Sequence, residues 1–132
     1  DAVCAVRSAM EEGIVKGGGM ALYECQKILN KYHREVKTDD ATIASYILQD
    51  TVEAPAIQIL LNAGKHWGDI YPHEDIKINE CYNVKTEKRG DFFKMGVIDP
   101  LKVTKTAFEN AVSVATTILT TNAIITHARV KE

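Results

Sequence analysis

The sequence has no apolar run near the roughly 20 residues that a bilayer-spanning helix needs, and no charged start followed by an apolar core that reads as a signal peptide. Cysteine is scarce. Cys4, Cys25 and Cys81 form an odd set with no Cys-x-x-Cys, which points to reduced thiols and a reducing compartment rather than a disulfide framework. The histidines His33, His66, His73 and His127 are scattered, without the i, i+4 pair or Cys/His cluster of a zinc site, and read as surface or loop residues. Charge of one sign is missing too: 16 Lys and Arg against 18 Asp and Glu leave a net charge of -2, so no broad basic face calls for nucleic acid and no acidic tail for a charged partner. Aromatic residues are few, and no basic residues interleave with Trp67 and Tyr71, so these two read as local packing and not as a base-stacking platform. Internal repeats, low-complexity segments and flexible linkers are absent.

What is present suits one globular domain or part of one: 132 residues, 45% hydrophobic and 26% charged, enough to bury a modest core. Ala2, Val3, Val6, Ala9 and Met10 recur at helical spacing, and Gly13 stops that helix after Glu11 and Glu12. Ala21, Leu22, Cys25, Ile28, Leu29 and Tyr32 form a second stripe that ends in the basic cluster Lys27, Lys31, His33 and Arg34. Lys37-Thr38-Asp39-Asp40 supplies loop and N-cap chemistry, Ile43, Ala44, Ile47 and Leu48 continue as a third helix, Pro55 is expected to break it, a further apolar helix runs from Ala56 to Leu61, and Gly64 ends that one. These helices are expected to be core and not site. Between Lys65 and Gly90 the helical period is lost, and Ile76-Lys77-Ile78 and Cys81-Tyr82-Asn83-Val84 suggest loop and a small hairpin. Pro100 opens a last helix whose face Val103, Ala107, Phe108, Ala111, Val114, Ala115, Ile118 and Leu119 reads as a buried central helix, followed by a strand over Ala123–Val130. The architecture expected is mostly α with a minor β element.

Two stretches carry chemistry. Gly17-Gly18-Gly19, between segments of helical apolar spacing, lets a backbone without Cβ atoms face something closely: a tight turn, another main chain, or a ligand. In Met95-Gly96-Val97-Ile98-Asp99-Pro100, the acid before the proline suits either a helix cap or a holder of ligand hydroxyls.

Together with Asp1-Ala2-Val3 through Arg7-Ser8-Ala9-Met10-Glu11-Glu12-Gly13, Asn62-Ala63-Gly64, Tyr82-Asn83, Lys102-Val103-Thr104 and Thr120-Thr121, these stretches resemble the C-terminal part of a group I chaperonin, collinearly over essentially the whole chain and least between Lys65 and Glu80. The resemblance implies a sixty-kilodalton heat-shock chaperonin, an ATP-driven protein-folding machine of homo-oligomeric rings. It implies that residues 1–11 close the intermediate domain and 12–132 form the C-terminal half of the equatorial domain, a helical half-domain with a small β-hairpin and a C-terminal strand. Asp1 matches the family's catalytic acid, which helps activate the water that attacks the γ-phosphate. Gly18 matches the main chain that meets the ribose, Asp99 the acceptor of the ribose hydroxyls, and Asn83, Val84 and Val97 the contacts to adenine. ATP with Mg²⁺ is the implied cofactor, with the Mg²⁺ ligand and the phosphate-binding loop outside this sequence, so the fragment alone is not expected to hydrolyse ATP. Unfolded client proteins and a co-chaperonin lid are the implied partners, with no nucleic acid and no membrane.

Departures from the family pattern are Cys81 in place of a glycine before Tyr82, and Val84 and Lys85 in place of two small residues after Asn83, which would crowd or alter the adenine wall. The tail after Thr126 lacks a Gly-Met-rich repeat, which favours an organellar member, in the mitochondrial matrix or another endosymbiotic organelle, over one in bacterial cytoplasm. Two readings of other classes remain: a helical interaction module without chemistry, favoured if Gly18 and Asp99 lie far apart, and an unrelated enzyme using Asp1, Glu11, Glu12 and Asp99 as acid-base groups, which needs carboxylates facing each other across a pocket.

Overall fold

The computed structural model describes residues 2–72, 76, 79–123 and 125. Among the described residues nine elements follow in order: α1 Ala2–Glu12, β1 Ile14–Lys16, α2 Met20–Glu35, α3 Asp39–Asn62, α4 Trp67–Ile70, β2 Glu80–Asn83, β3 Lys88–Asp91, β4 Ile98–Pro100 and α5 Leu101–Leu119. The fold is mostly α, as expected, with two small antiparallel ribbons, β1 with β4 and β2 with β3. The hairpin expected around Cys81 is β2–β3. The expected Ile76-Lys77-Ile78 alternation rests on residues 77–78, and the expected terminal strand on residues 123–130; apart from 123 and 125, those positions lie outside the described residues.

α2 and α3 are antiparallel partners, since the links between them run in opposite senses: Gln26 with Glu53, and His33 Nδ1 2.7 Å from Ser45 Oγ. His33 is therefore not a free surface residue but bridges the two helices, its ring 4.3 Å from that of Tyr46. Thr38 caps α3 by accepting from the Ala41 amide, with Asp39 and Asp40 in the first turn, where carboxylates favour the positive helix end. The far end closes on Gly64 at φ 71°: the Gly64 amide donates to the Leu61 carbonyl and the Lys65 amide to the Leu60 carbonyl, the paired bonds of a Schellman stop.

Pro55 does not break the helix; α3 is continuous across it. A proline interior to a helix removes one backbone bond and costs about 3 kcal/mol. Burial on either side of it offsets that cost: Val52, Ala56 and Leu60 are all within the core, with Ala56 in one cluster with Met20 and Cys81.

The glycines bring main chains together. A Cβ on Gly19, which sits at φ 78°, would lie 2.6 Å from the Ala56 nitrogen, and one on Gly17 would lie 3.0 Å from the Ile98 nitrogen. The Gly17 amide donates to the Val97 carbonyl at 2.9 Å, extending the β1–β4 ribbon, in which Val15 stands opposite Asp99.

α5 differs from expectation. None of its residues is buried; Val114 is 58% and Leu119 81% exposed. Its main contacts are with α1 and β4, and residues 111–119 of its C-terminal half are all exposed. Ion pairs secure the covered end: Lys102 with Glu11, and Lys105 with Glu12 at 2.6 Å. The three thiols are free and graded in exposure, Cys4 on the surface of α1, Cys25 half-buried on α2 and Cys81 inside β2.

Gly13 and Gly19 separate backbone strain from steric contact. Both have positive φ, but a Cβ on Gly13 meets nothing within 4 Å. Gly13→Ala is expected to cost about 1 kcal/mol in chemical denaturation, and Gly19→Ala about 3 kcal/mol or more, because its methyl must also displace helix backbone. Equal losses would show that the turn is not wedged against α3.

Candidate functional site

A cavity of about 90 Å³ opens where four parts of the fold meet. Gly18 and Met20 bring the glycine turn and the start of α2, Ala56, Ile59 and Leu60 one face of α3, Trp67 and Tyr71 the α4 segment, and Tyr82, Asn83, Val84 and Val97 the hairpin and the turn before β4. Four of the residues expected to hold a cofactor, Gly18, Asn83, Val84 and Val97, thus surround one cavity. The fifth, Asp99, lies beside it. Its half-buried carboxylate accepts a hydrogen bond from the Gly18 main chain. It does not cap α5, whose N-cap position is Pro100 without a side-chain hydrogen bond. Asp1 lies outside the described residues.

Burial pushes the Asp99 carboxyl above its ordinary value, and the Gly18 hydrogen bond pulls against that rise. Asn83 is fixed by its own turn: Oδ1 accepts from the Lys85 amide at 3.0 Å and the Thr86 amide at 3.2 Å. An oxygen held by two N–H donors cannot exchange places with the amide nitrogen, so what Asn83 offers a ligand is the Nδ2 donor. Of the three departures from the family pattern, Val84 lines the cavity, Lys85 is exposed on the turn, and Cys81 is buried in the core, where desolvation raises its thiol pKa.

Sequence reasoning missed the α3 and aromatic walls. Ala56, Ile59 and Leu60 share a helical face by their spacing, which signalled burial but not a cavity. Trp67 and Tyr71 do pack locally, with ring centroids 4.6 Å apart, and Trp67 is also 4.6 Å from Tyr23. They nevertheless form cavity wall as well. Burial pushes the Tyr71 hydroxyl up to about 12, so it stays neutral across the physiological range.

Carboxylates do not face each other here. Glu11 and Glu12 are tied to Lys102 and Lys105 at the α1–α5 contact, and neither lines the cavity beside Asp99. Nor do the described residues contain a group of three or more His, Cys, Asp or Glu able to hold a metal ion. No described helix is long and apolar enough to cross a membrane.

Apolar walls with a few directed polar groups, framed by helices, define a helical domain with a small cavity between its helices and its hairpin. Residues 1–129 match the model of the TCP-1/cpn60 chaperonin family, and the chain belongs to that family. Its fold, mostly helical with a few short strands, is similar to the open-state monomer of a group II chaperonin from Methanococcoides burtonii, with a TM-score of 0.72 and 26% sequence identity over 82% of this chain. The chain spans 28% of that monomer's length. The structural similarity is to a group II member, so the group I resemblance is narrower than the family assignment.

The Asp99 environment gives a pH signature. A carboxyl whose pKa is raised on folding binds more protons folded than unfolded, so its ionisation lowers stability as pH rises above 3.8 through the folded value. Asp99→Asn keeps an acceptor for Gly18 without the buried charge. It is expected to melt higher than wild type at pH 7, with the difference shrinking as pH falls through that window; a difference that does not change with pH would show that Asp99 is fully solvated.

Proposed function

We propose that this chain forms the base-and-ribose side of the ATP site of a chaperonin subunit that uses hydrolysis to drive the folding of client proteins. The observation that carries the reading is the meeting of Gly18, Asn83, Val84 and Val97 around one cavity, with Asp99 tied to Gly18 at its edge. Such a carboxylate accepts hydrogen bonds from ribose hydroxyls when ionised, while the apolar walls suit a flat base and Asn83 Nδ2 can donate to a ring nitrogen. ATP supplies the free energy of phosphoryl transfer. These residues bind and orient its nucleoside part, and Mg²⁺ and the phosphates are held elsewhere in the subunit.

In this reading Asp1 is the catalytic acid, residues 1–11 belong to an intermediate domain and residues 12–132 to the C-terminal half of an equatorial domain. The motif series that includes Asp1, Gly18 and Asp99 supports a group I member. Its subunits would form homo-oligomeric rings closed by a co-chaperonin lid, in the mitochondrial matrix or a related organelle, or in bacterial cytoplasm.

Calorimetric titration of the 132-residue chain with ATP tests the site. Binding is expected, and Asp99→Ala is expected to weaken it about tenfold, the scale of a hydrogen bond to a charged acceptor. An unchanged isotherm for the variant would remove Asp99 from the site, and no heat from folded wild type would show that these residues alone do not make a nucleotide pocket.

A further inference from the structure

We infer that Trp67 is the wall against which the base of the bound nucleotide packs, making it the principal determinant of base affinity in this chain; the inference rests on the ATP reading of the cavity. Trp67 lies in the segment where the resemblance to the family is least, so its role is read from this fold. It opens α4 immediately after the Schellman stop of α3, and that stop fixes the direction in which the chain enters the cavity. Its ring is braced from two elements, by Tyr23 of α2 and by Tyr71, each at 4.6 Å. Tyr71 is held in turn, with the Arg89 guanidinium 4.9 Å from its ring centroid.

A braced indole loses little further rotamer freedom when a ligand arrives, which is the condition under which an aromatic contact contributes fully to affinity. Trp67 is half-buried, and it shares the cavity with Gly18 and Asn83. An alkyl ligand would be served by the aliphatic walls of Ile59, Leu60 and Val97 alone. An aromatic wall beside an amide donor suits instead a flat heterocycle with a ring acceptor, for which base–aromatic contact is strong.

Trp67 is the only tryptophan in the chain, so its emission reports on this wall directly. Titration of the 132-residue chain with ADP is expected to change Trp67 fluorescence saturably, with the same midpoint as the calorimetric isotherm. Trp67→Leu is expected to lose about tenfold in ADP affinity, while Trp67→Phe, which keeps an aromatic face, retains most of it. Nucleotide heat with unchanged Trp67 emission, or Trp67→Leu binding like Trp67→Phe, would overturn the inference and leave the nucleotide site standing, with Trp67 as core filler. Absence of both heat and emission change in folded wild type would sink the nucleotide reading and this inference together. Because the emission titration uses wild type, it decides the matter even if Trp67→Leu does not fold.

Discussion

At Gly17–Gly19 the main chain lies against two others with no side chain between them: the α3 backbone at Pro55 and Ala56, and the β4 approach at Val97 and Ile98. Only glycine permits this, for two reasons that coincide at Gly19, its positive φ and the 2.6 Å that a Cβ would leave to the Ala56 nitrogen. The contact sets the start of α2 against the middle of α3 and places Met20 beside Ala56 in the core. It also brings the Gly18 main chain to the Asp99 carboxylate, so helix packing and the polar corner of the cavity have one origin.

What the chain completes and what it leaves open divide along the same line. Around the glycine turn, α2, α3, α4 and the hairpin bury Met20, Val52, Ala56, Leu60, Tyr71 and Cys81. Along α5 the apolar positions face outward, although their spacing is that of a packed helix. Helical periodicity records which face a sequence keeps apolar; it does not record whether the covering partner lies in the same stretch of chain. The solved group II monomer is several times longer than this chain.

Legibility in the sequence followed from how local each cause was. Gly13, Gly64 and the stretch Lys37-Thr38-Asp39-Asp40 act within a few residues, and α1 and α3 begin or end at them. The hairpin at Cys81–Asn83 was legible from alternation, and Gly18 with Asp99 from motif order. Pro55 misled because its local cost is outweighed by burial against α2, a tertiary term. The β1–β4 ribbon, three residues a side, is too short for a period and exists because the glycine turn delivers β1 to β4. Trp67 and Tyr71 were legible as aromatic packing, but their place in the cavity wall depends on the Schellman stop, α2 and the hairpin acting together.

The gradation of the three thiols has a consequence of its own. Nucleophilic attack by cysteine requires both access and thiolate. Cys4 has access on α1, whereas Cys81 is 1% exposed and its burial also disfavours ionisation. An alkylating reagent therefore meets the chain in stages, first at the helix that stands apart from the cavity and last behind the hairpin that forms one of its walls. The order of labelling along one polypeptide becomes a chemical clock for how the fold opens, running from its rim to its centre.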